Sequence, residues 1–598
     1  MLTDKYSPPQ RPGRCVNFLS LFVIVLLLVL TACSEPPPPT EPASALRPYL
    51  SAEFLLGEAR LATPVPTSAY QPPPDANPSN HLQGTLVLGI VPGTGRAASR
   101  VDRFGQLEND QLKIADLPPF QFDFVQDGSD LIPVQRGIQA SDHPHWEFIL
   151  EPGKAWDEAG DRGYTRASIP FSLQERNANC TQNGLLTFLF KTDGSISRAA
   201  YQVGSETCFY LQADLWGVVP AHYQPNQVAD ADAIIEAYRQ EVASRLPVRP
   251  FTALAEDYPG TDLSMFRMHD PAQVSTYGFV IDGVHYSGGC ETRYGPYPYC
   301  EVLDLPSYSL AKTVFAGTAL AWLEAHHPGA GGLLVTNYVP ECRNDERWDG
   351  VTLEHLVDMV TGNYSSTESQ VDEFASYETD FMGSELHAEK IRTACSLFPR
   401  QSEPGSQFVY HTSDTYIAGT LINAFLREQS GVAGDTLDIH RDVLVEQIMK
   451  PLGLSPVTWK TRRTYDKQAQ PFAGFGLTFH SDDIVRFALF LMNSKGHIDG
   501  RQVIDRAELD AALQRDPVDP GLNTSSELFR YNNGFWAHDV KEYTGCSDPA
   551  WIPFMSGYGG ISLLLLPNNS IYYVFSDGGH FEWAGAAVES NKIRIFCE

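Results

Sequence analysis

Ser309 and Lys312 are the residues whose types and spacing most directly suggest chemistry. A serine hydroxyl is a weak nucleophile at neutral pH and needs a neighbouring base. A lysine that is desolvated beside it loses its proton more readily, because burial disfavours the ammonium ion. The pair can therefore supply a nucleophile and its base. On spacing alone, a helix-capping serine followed by a surface lysine explains the motif equally well.

The elements around this pair decide whether the two side chains can meet. Pro306 precedes them, and residues Thr313–Glu324 have the apolar periodicity of a helix. We therefore expect Ser309 at the start of a helix and Lys312 on the same face one turn later. A helix N-terminus also favours negative charge that develops on a serine oxygen.

Several further segments follow this pair in an order that is characteristic of one superfamily. They are Val351–Gly362 (VTLEHLVDMVTG), Pro404–Tyr410 (PGSQFVY), Pro451–Leu454 (PLGL), Gly476–Leu477 and Ser481–Asp483. Together with Ser-x-x-Lys they resemble the penicillin-recognising serine hydrolases, in the branch of class C β-lactamases, esterases and D-stereospecific peptidases. The resemblance covers about residues 265–598. It implies an α+β fold with a β-lactamase/transpeptidase-like domain, in which helices pack on an antiparallel sheet, and it requires no cofactor.

Tyr410 is the second catalytic residue that this resemblance implies. A phenolate would be stabilised near the Lys312 ammonium ion, so the two groups could share and shuttle one proton. The family commonly has asparagine two residues after this tyrosine, whereas Thr412 occupies the position here. The next three residues, Ser413-Asp414-Thr415, are more similar to the amide-hydrolysing relatives that act on nylon oligomers. The usual contact to a substrate amide is therefore in doubt.

The third motif lies in a predicted hairpin near the C-terminus. Met555, Ser556 and Gly557 are similar to the strand that borders the active site in the family, so we expect them, with Thr412, to contact substrate. The resemblance implies that the backbone N–H groups of Ser309 and Tyr558 form an oxyanion hole. Met555 stands where many relatives have lysine or histidine. This weakens the prediction of β-lactamase activity more than the prediction of a hydrolase.

The N-terminal part of the chain has a different pattern of apolar residues. Short apolar or alternating runs over residues 81–250 predict a β-rich, sandwich-like domain of unknown role. A helix is predicted from Asp232 to Leu246, and a hydrolase domain over residues 251–598. Residues 34–80 are rich in Pro, Ala and Ser, which predicts an extended tether.

The first 33 residues predict a lipoprotein signal peptide. Basic residues precede an apolar run, Phe18–Leu30, that is too short to span a bilayer. The run ends in Leu-Thr-Ala-Cys, which resembles the bacterial lipobox, so we expect lipidation at Cys33. An ordinary signal peptide is the alternative. The predicted location is the cell envelope, in the outer membrane and facing the periplasm or the cell exterior, with the lipid anchor as the membrane contact.

Composition limits the partners and suggests disulfides. The formal net charge of -30 argues against nucleic acid as a partner. Of the 10 cysteines, eight follow Cys33, and an even number in an exported protein favours disulfide bonds. Pairing between neighbours in the sequence is the simplest connectivity. Zinc is the rival interpretation, but the ligand spacing of a zinc site is missing, so no metal is expected.

Other polar residues have simpler explanations than catalysis. His580 could act as an acid or base, but it is a weak candidate. The pair His326 and His327 lies at a predicted helix end, and Asp482 and Asp483 are expected to cap a helix.

The sequence therefore predicts a serine hydrolase that cleaves an ester or amide through an acyl-enzyme on Ser309, acting on a small-molecule or peptide substrate. Two alternatives stay open. One is a β-lactamase or D-peptidase of the cell envelope. The other is a catalytically silent receptor that binds cell-wall fragments or a protein partner.

Overall fold

A large antiparallel sheet occupies the first half of the chain. The computed structural model describes residues 47–597 apart from 76, 268–269 and 433–435, so the predicted signal peptide, Cys33 and the first part of the predicted tether lie outside it. The strands follow the order β11-β1-β3-β4-β6-β7-β8-β9-β10-β2, with β5 paired to β7. Their bounds are β1 Gly84–Leu88, β2 Arg96–Asp102, β3 Phe120–Asp127, β4 Asp130–Pro133, β5 Trp146–Leu150, β6 Gly153–Asp157, β7 Thr165–Glu175, β8 Thr181–Phe190, β9 Ala199–Thr207, β10 Leu211–Val219 and β11 Ala221–Pro225.

The β-rich character predicted for this part is confirmed, and its strands form one continuous sheet instead of the two sheets of a sandwich. The central strand β8 is buried at every position. Leu186 and Phe188 point into the core of the N-terminal sheet, whereas Leu185 and Leu189 join the core of the C-terminal half. Because alternate residues of a strand face opposite sides, both faces of β8 are covered by protein.

A second antiparallel sheet lies in the C-terminal half, in the order β12-β14-β13-β26-β25-β24-β23-β22-β21, with β12 parallel to β14. Its strands are β12 Val248–Pro250, β13 Val274–Ile281, β14 Val284–Gly289, β21 Leu522–Asn523, β22 Phe529–Asn532, β23 Phe535–Asp539, β24 Trp551–Gly557, β25 Ile561–Leu565 and β26 Ile571–Ser576. Three short two-stranded sheets pair β15 Glu291–Thr292 with β16 Gly295–Pro296, β17 Leu305–Pro306 with β18 Thr478–Phe479, and β19 His497–Ile498 with β20 Arg501–Gln502.

Helices complete the α+β fold. They are α1 Ala52–Leu56, α2 Ala231–Ser244, α3 Leu254–Asp257, α4 Thr318–His326, α5 Val335–Tyr338, α6 Leu353–Val357, α7 Ser376–Gly383, α8 His387–Ser396, α9 Thr412–Ser430, α10 Ser481–Met492, α11 Arg506–Ala512, α12 Lys541–Thr544 and α13 Ala584–Ile593. Two π-helical segments cover Lys312–Gly317 and Ile439–Met449. No helix among the described residues is long and apolar enough to cross a membrane.

The prediction of an extended tether over residues 34–80 is wrong for its second part. Leu55 in α1 and Tyr70 are completely buried, and both belong to the core that contains Leu185 of β8. Arg166 also donates a hydrogen bond of 2.9 Å to the Leu50 carbonyl oxygen. The composition indicated little capacity for a core of its own, but the segment uses apolar surface supplied by distant parts of the chain.

Four disulfides have the connectivity predicted from neighbours in the sequence. They are Cys180–Cys208, Cys290–Cys300, Cys342–Cys395 and Cys546–Cys597. Disulfides persist in oxidising compartments, so these pairs fit the prediction of an exported protein.

Polar contacts join the N-terminal sheet to the C-terminal half across the predicted boundary near residue 250. Ser172 donates a hydrogen bond of 2.7 Å to Asp304, and Gln174 donates one of 3.0 Å to Thr478. Glu147 and Arg462 form a buried ion pair. The two sheets therefore share one interior, although their sequences suggested separate domains.

Candidate active site

Ser309 lies on a tight turn that leads directly into a helix. Tyr308, just before it, has a φ of 41°, which is the left-handed region that side chains other than glycine seldom adopt. Lys312 begins a π-helical segment that continues as α4, so the predicted helix is present with a π-helical first part. The Lys312 Nζ lies 3.0 Å from the Ser309 Oγ. The structure therefore brings the two side chains together as the spacing predicted.

The Lys312 amine is completely buried and has three hydrogen-bond partners. Besides Ser309, they are the Thr412 Oγ1 at 2.7 Å and the Gly474 carbonyl oxygen at 3.3 Å. Burial lowers the pKa of Lys312 to about 8, although nearby carboxylates, Glu373 first among them, act in the opposite direction. The amine is therefore partly neutral near physiological pH and can accept a proton.

Tyr410 also lies beside this pair, in surroundings that favour the neutral phenol. Its ring centre lies 4.8 Å from the Lys312 Nζ. Burial raises the pKa of Tyr410 well above its ordinary value, and the negative charge of Glu373 raises it further. Both effects favour the protonated tyrosine, so Lys312 is the better candidate for the base.

Thr412, the first residue of α9, connects Lys312 to a residue that the sequence analysis missed. Its Oγ1 hydrogen-bonds to a carboxylate oxygen of Glu373, and its backbone N–H donates to the other oxygen at 2.7 Å. Glu373 is half-buried in the loop between α6 and α7. No spacing or motif marks this glutamate, because it reaches the site only through the path of the loop.

A buried ionic cluster supports Thr412 from behind. His411 lies 3.3 Å from both Asp372 and Asp414. Although burial opposes the charge, hydrogen bonds to these two carboxylates raise the pKa of His411 to about 10. Burial raises the pKa of Glu378, which accepts a hydrogen bond from the Ser413 N–H, to about 8. The imidazolium ion thus offsets part of the negative charge that faces Lys312.

Strand β24 borders the nucleophile, as the third motif predicted. A side chain at Gly557 would meet the Ser307 carbonyl oxygen at 2.9 Å, so the strand approaches the turn as closely as glycine permits. Met555 is 1% exposed, and its side chain belongs to the core. The prediction that Met555 contacts substrate is therefore wrong, because no substrate can reach a side chain buried in this way. Ser556, on the opposite face of the strand, is half-exposed.

The backbone N–H groups of Ser309 and Tyr558 are the predicted oxyanion donors. Within the part of the chain that the structure describes, neither group donates a hydrogen bond to another residue. Two unoccupied N–H donors beside a nucleophile are the arrangement that stabilises charge on a carbonyl oxygen during acyl transfer.

Aromatic side chains surround Tyr558 at the mouth of the site. Its ring centre lies 5.4 Å from that of Phe209, 5.8 Å from that of Tyr308 and 5.9 Å from that of Phe374. Phe209 comes from the turn between β9 and β10, so the N-terminal sheet forms part of this rim. Arg103 stacks on the other side of Phe209, at 3.9 Å.

The remaining candidates lie outside this arrangement. His580 is exposed, and none of the described contacts joins it to Ser309. Asp483 forms a capping box with His480 at the start of α10, as expected of a capping residue. Asp482 does not cap the helix: it pairs with Arg486 at 2.5 Å and accepts a hydrogen bond of 3.0 Å from the Leu246 N–H. His326 ends α4 and stacks on Trp322.

One buried cluster has ligand types that could hold a metal ion, at the junction of the two sheets. Glu151, Asp304 and His480 place one ligand atom each within 4.8 Å of one another. Although burial opposes the charge, the carboxylates of Glu151 and Asp304 raise the pKa of His480 to about 10. Arg136 binds the Glu151 carboxylate at 2.5 Å. Two organic cations therefore already balance these acids, and the cluster is explained as an ion network.

Comparisons with known proteins give matches only among solved structures. No protein-family model and no curated protein matches the chain. A putative 6-aminohexanoate-dimer hydrolase from Bacillus anthracis is 17% identical, and the match, with a TM-score of 0.40, covers 57% of this chain and 80% of the hydrolase chain. A putative β-lactamase from Bacteroides dorei DSM 17855 is 16% identical, with 58% and 98% covered and a TM-score of 0.38. A penicillin-binding protein homologue from Caulobacter crescentus is 17% identical, with 57% and 97% covered and a TM-score of 0.39.

Proposed function

We propose that this protein is a serine hydrolase that cleaves an ester or amide through an acyl-enzyme on Ser309. One observation carries the proposal: the buried Lys312 amine lies 3.0 Å from the Ser309 oxygen. Because burial lowers the pKa of Lys312 to about 8, the amine can take the serine proton at neutral pH.

Acylation begins when the neutral Lys312 amine accepts the hydroxyl proton of Ser309. The serine oxygen then bonds to the substrate carbonyl carbon, whose oxygen becomes negative and is held by the N–H groups of Ser309 and Tyr558. Collapse of this intermediate breaks the bond to the alcohol or amine, which leaves with the proton from Lys312. Tyr410 stays neutral beside Lys312 and does not compete with it for the serine proton. Water then attacks the acyl group by the reverse sequence, and Ser309 is regenerated.

The rim of the site favours substrates with an apolar or aromatic group. Phe209, Phe374 and Tyr558 present ring surfaces next to the oxyanion donors. Phe104 is 69% exposed and continues this surface through Tyr210, with ring centres 5.3 Å apart. Burial of such rings against an apolar ligand is favourable, and an exposed cluster of this kind is typical of a binding surface.

We further propose that the chain acts in the cell envelope, held there by a lipid on Cys33. The apolar run, the Leu-Thr-Ala-Cys sequence and the four disulfides support this location. Mass spectrometry of the N-terminal peptide from the native membrane fraction would test it, because lipidation adds acyl chains to Cys33.

Intact-mass spectrometry after incubation with a fluorophosphonate tests the hydrolase proposal. The full-length protein in mild detergent is expected to gain one adduct, and Ser309→Ala none. Ser244→Ala, on the exposed face of α2, is the matched control and should react like the parent. A folded parent protein that gains no adduct would overturn the proposal and favour a binding role for the same surface.

A further inference from the structure

The Thr412 hydroxyl group bridges Lys312 and Glu373. The Lys312 Nζ lies 2.7 Å from the Thr412 Oγ1, which is also hydrogen-bonded to a Glu373 carboxylate oxygen. The second carboxylate oxygen accepts from the Thr412 backbone N–H at 2.7 Å. Both oxygens of Glu373 are therefore committed to Thr412, at the N-terminus of α9, where a negative charge is favoured.

The direction of each hydrogen bond follows from the number of protons available. An ionised carboxylate only accepts, so the one proton of the Thr412 hydroxyl group points to Glu373. The Thr412 oxygen must then accept from Lys312. The Gly474 carbonyl oxygen, 3.3 Å from the Nζ, also only accepts. These two acceptors use both N–H groups of the neutral amine, and its lone pair is left facing the Ser309 hydroxyl group.

We propose that Glu373 is a positioning residue that acts through Thr412 to aim the Lys312 lone pair at Ser309. This inference rests on the proposed hydrolase function and names a residue that neither the motif order nor its spacing identifies. A neutral amine with a free choice of partners could point an N–H at the serine oxygen, which would make it a donor and not a base. Glu373 removes that choice.

The loop that carries Glu373 is held on both sides of the residue. Asp372 pairs with His411 and accepts a hydrogen bond of 2.7 Å from the Ser365 N–H. Phe374 contacts the ring of Tyr558 across the mouth of the site. The position of the carboxylate is therefore fixed by neighbours that do not touch Lys312.

The charged groups that face the base also predict the sign of a pH effect. Glu373, Glu378 and Asp414 all raise the pKa of Lys312 against the effect of burial. His411, between Asp372 and Asp414, carries the compensating positive charge. Loss of the Glu373 charge should therefore move the acidic limb of the pH–rate profile to lower pH.

Glu373→Gln is the sharpest test, because it keeps the size of the side chain and reverses one hydrogen bond. The Thr412 N–H keeps the amide oxygen as its acceptor, so the amide NH₂ faces the Thr412 oxygen and donates to it. The hydroxyl proton then turns towards Lys312 and occupies the lone pair. We expect kcat for an activated ester to fall by about 10²-fold or more, the range of a lost general base, while KM stays unchanged. Glu368→Gln, in the same loop but exposed, is the control and should behave like the parent.

Substitutions at Thr412 separate a relay from a direct role of the carboxylate. Thr412→Ser keeps the hydroxyl group and should keep most of the activity. Thr412→Val should lose as much kcat as Glu373→Gln, and the double variant should be no worse than either single one, since all three break the same chain of hydrogen bonds.

The outcomes distinguish this inference from the proposed function on which it rests. Absence of a fluorophosphonate adduct on the parent would refute both. If the parent is labelled and Glu373→Gln has the same labelling rate and the same pH profile, the positioning role alone is refuted. Accumulation of acyl-enzyme in that variant at an unchanged acylation rate would also refute it, because Glu373 would then serve only the attack of water.

Discussion

Asn179→Ala should disturb the turn that carries Ser309, although Asn179 belongs to the N-terminal sheet. Asn179 lies just before β8 in the N-terminal sheet and is 1% exposed. Its Oδ1 accepts hydrogen bonds from the Ser307 Oγ at 3.1 Å, the Tyr308 N–H at 2.8 Å and the Gly476 N–H at 2.9 Å. Its Nδ2 donates to the Leu477 carbonyl oxygen at 3.3 Å. One side chain therefore fixes the turn that carries Ser309.

The size of the effect follows from the groups that lose their partner. Alanine leaves the buried N–H groups of Tyr308 and Gly476 without an acceptor, and each unsatisfied group costs about 1–3 kcal/mol. We therefore expect the free energy of unfolding to fall by about 2–6 kcal/mol, out of a typical total of about 5–15 kcal/mol. The left-handed conformation of Tyr308, which costs about 1–3 kcal/mol, would also lose its restraint.

Urea unfolding of the oxidised protein measures the stability, and the rate of fluorophosphonate labelling of the folded fraction measures the nucleophile. Asn179→Ala should lower both. Asn183→Ala is the matched control, because Asn183 crosses the same interface but bonds to the backbone of Asp304, at 3.1 and 3.2 Å, upstream of the turn. It should lower stability and leave the labelling rate unchanged. Equal labelling rates for Asn179→Ala and the parent, measured on folded protein, would refute the reasoning.

Three further predictions concern the base and the rim of the site. The rate of ester hydrolysis should rise with pH through about 8, the pKa of Lys312, because only the neutral amine accepts the serine proton, and a flat profile from pH 6 to 10 would contradict this. Lys312→Arg should abolish labelling of Ser309, since a guanidinium group stays charged at any usable pH; retained labelling would exclude Lys312 as the base. Phe104→Ala should raise KM for an aromatic ester about 5- to 30-fold more than it raises KM for an acetyl ester, equivalent to ~1–2 kcal/mol of apolar contact. Phe581→Ala, which also removes an exposed ring, should leave both KM values unchanged.

Local features of the site could be predicted from the sequence because they depend on short separations. Ser309 and Lys312 are one helical turn apart, and this spacing alone places their side chains on one face. Tyr410 came from the order of motifs, and the structure places it beside the pair. The disulfides join neighbouring cysteines, and helix α2, Ala231–Ser244, differs from its predicted bounds by one or two residues.

The features that the sequence could not supply depend on contacts between distant segments. Glu373 reaches Thr412 from a loop without periodicity, and Asn179 of the N-terminal sheet contacts Tyr308 in the C-terminal half. The direction of the Tyr410 pKa shift could not be predicted from the sequence, because it depends on burial and on the charge of Glu373, which no motif reports. Met555 was assigned to substrate by position in a strand, but the face that it occupies points into the core.

The N-terminal sheet is best understood as part of the scaffold of the candidate active site and not as an appended domain. Asn179 holds the turn before Ser309, and Phe209 lies against the hairpin that carries Tyr558, where a side chain at Gly559 would meet the Phe209 Cβ at 3.3 Å. Strand β8 is buried on both faces, so removal of the sheet would expose the core residues Leu185 and Leu189 of the shared interior together with their partners. Each of these contacts constrains the nucleophile, the oxyanion strand or the rim. A domain that began at residue 251 would keep Ser309, Lys312 and Tyr410 in its sequence, but it would lack the groups from the N-terminal sheet that fix their positions.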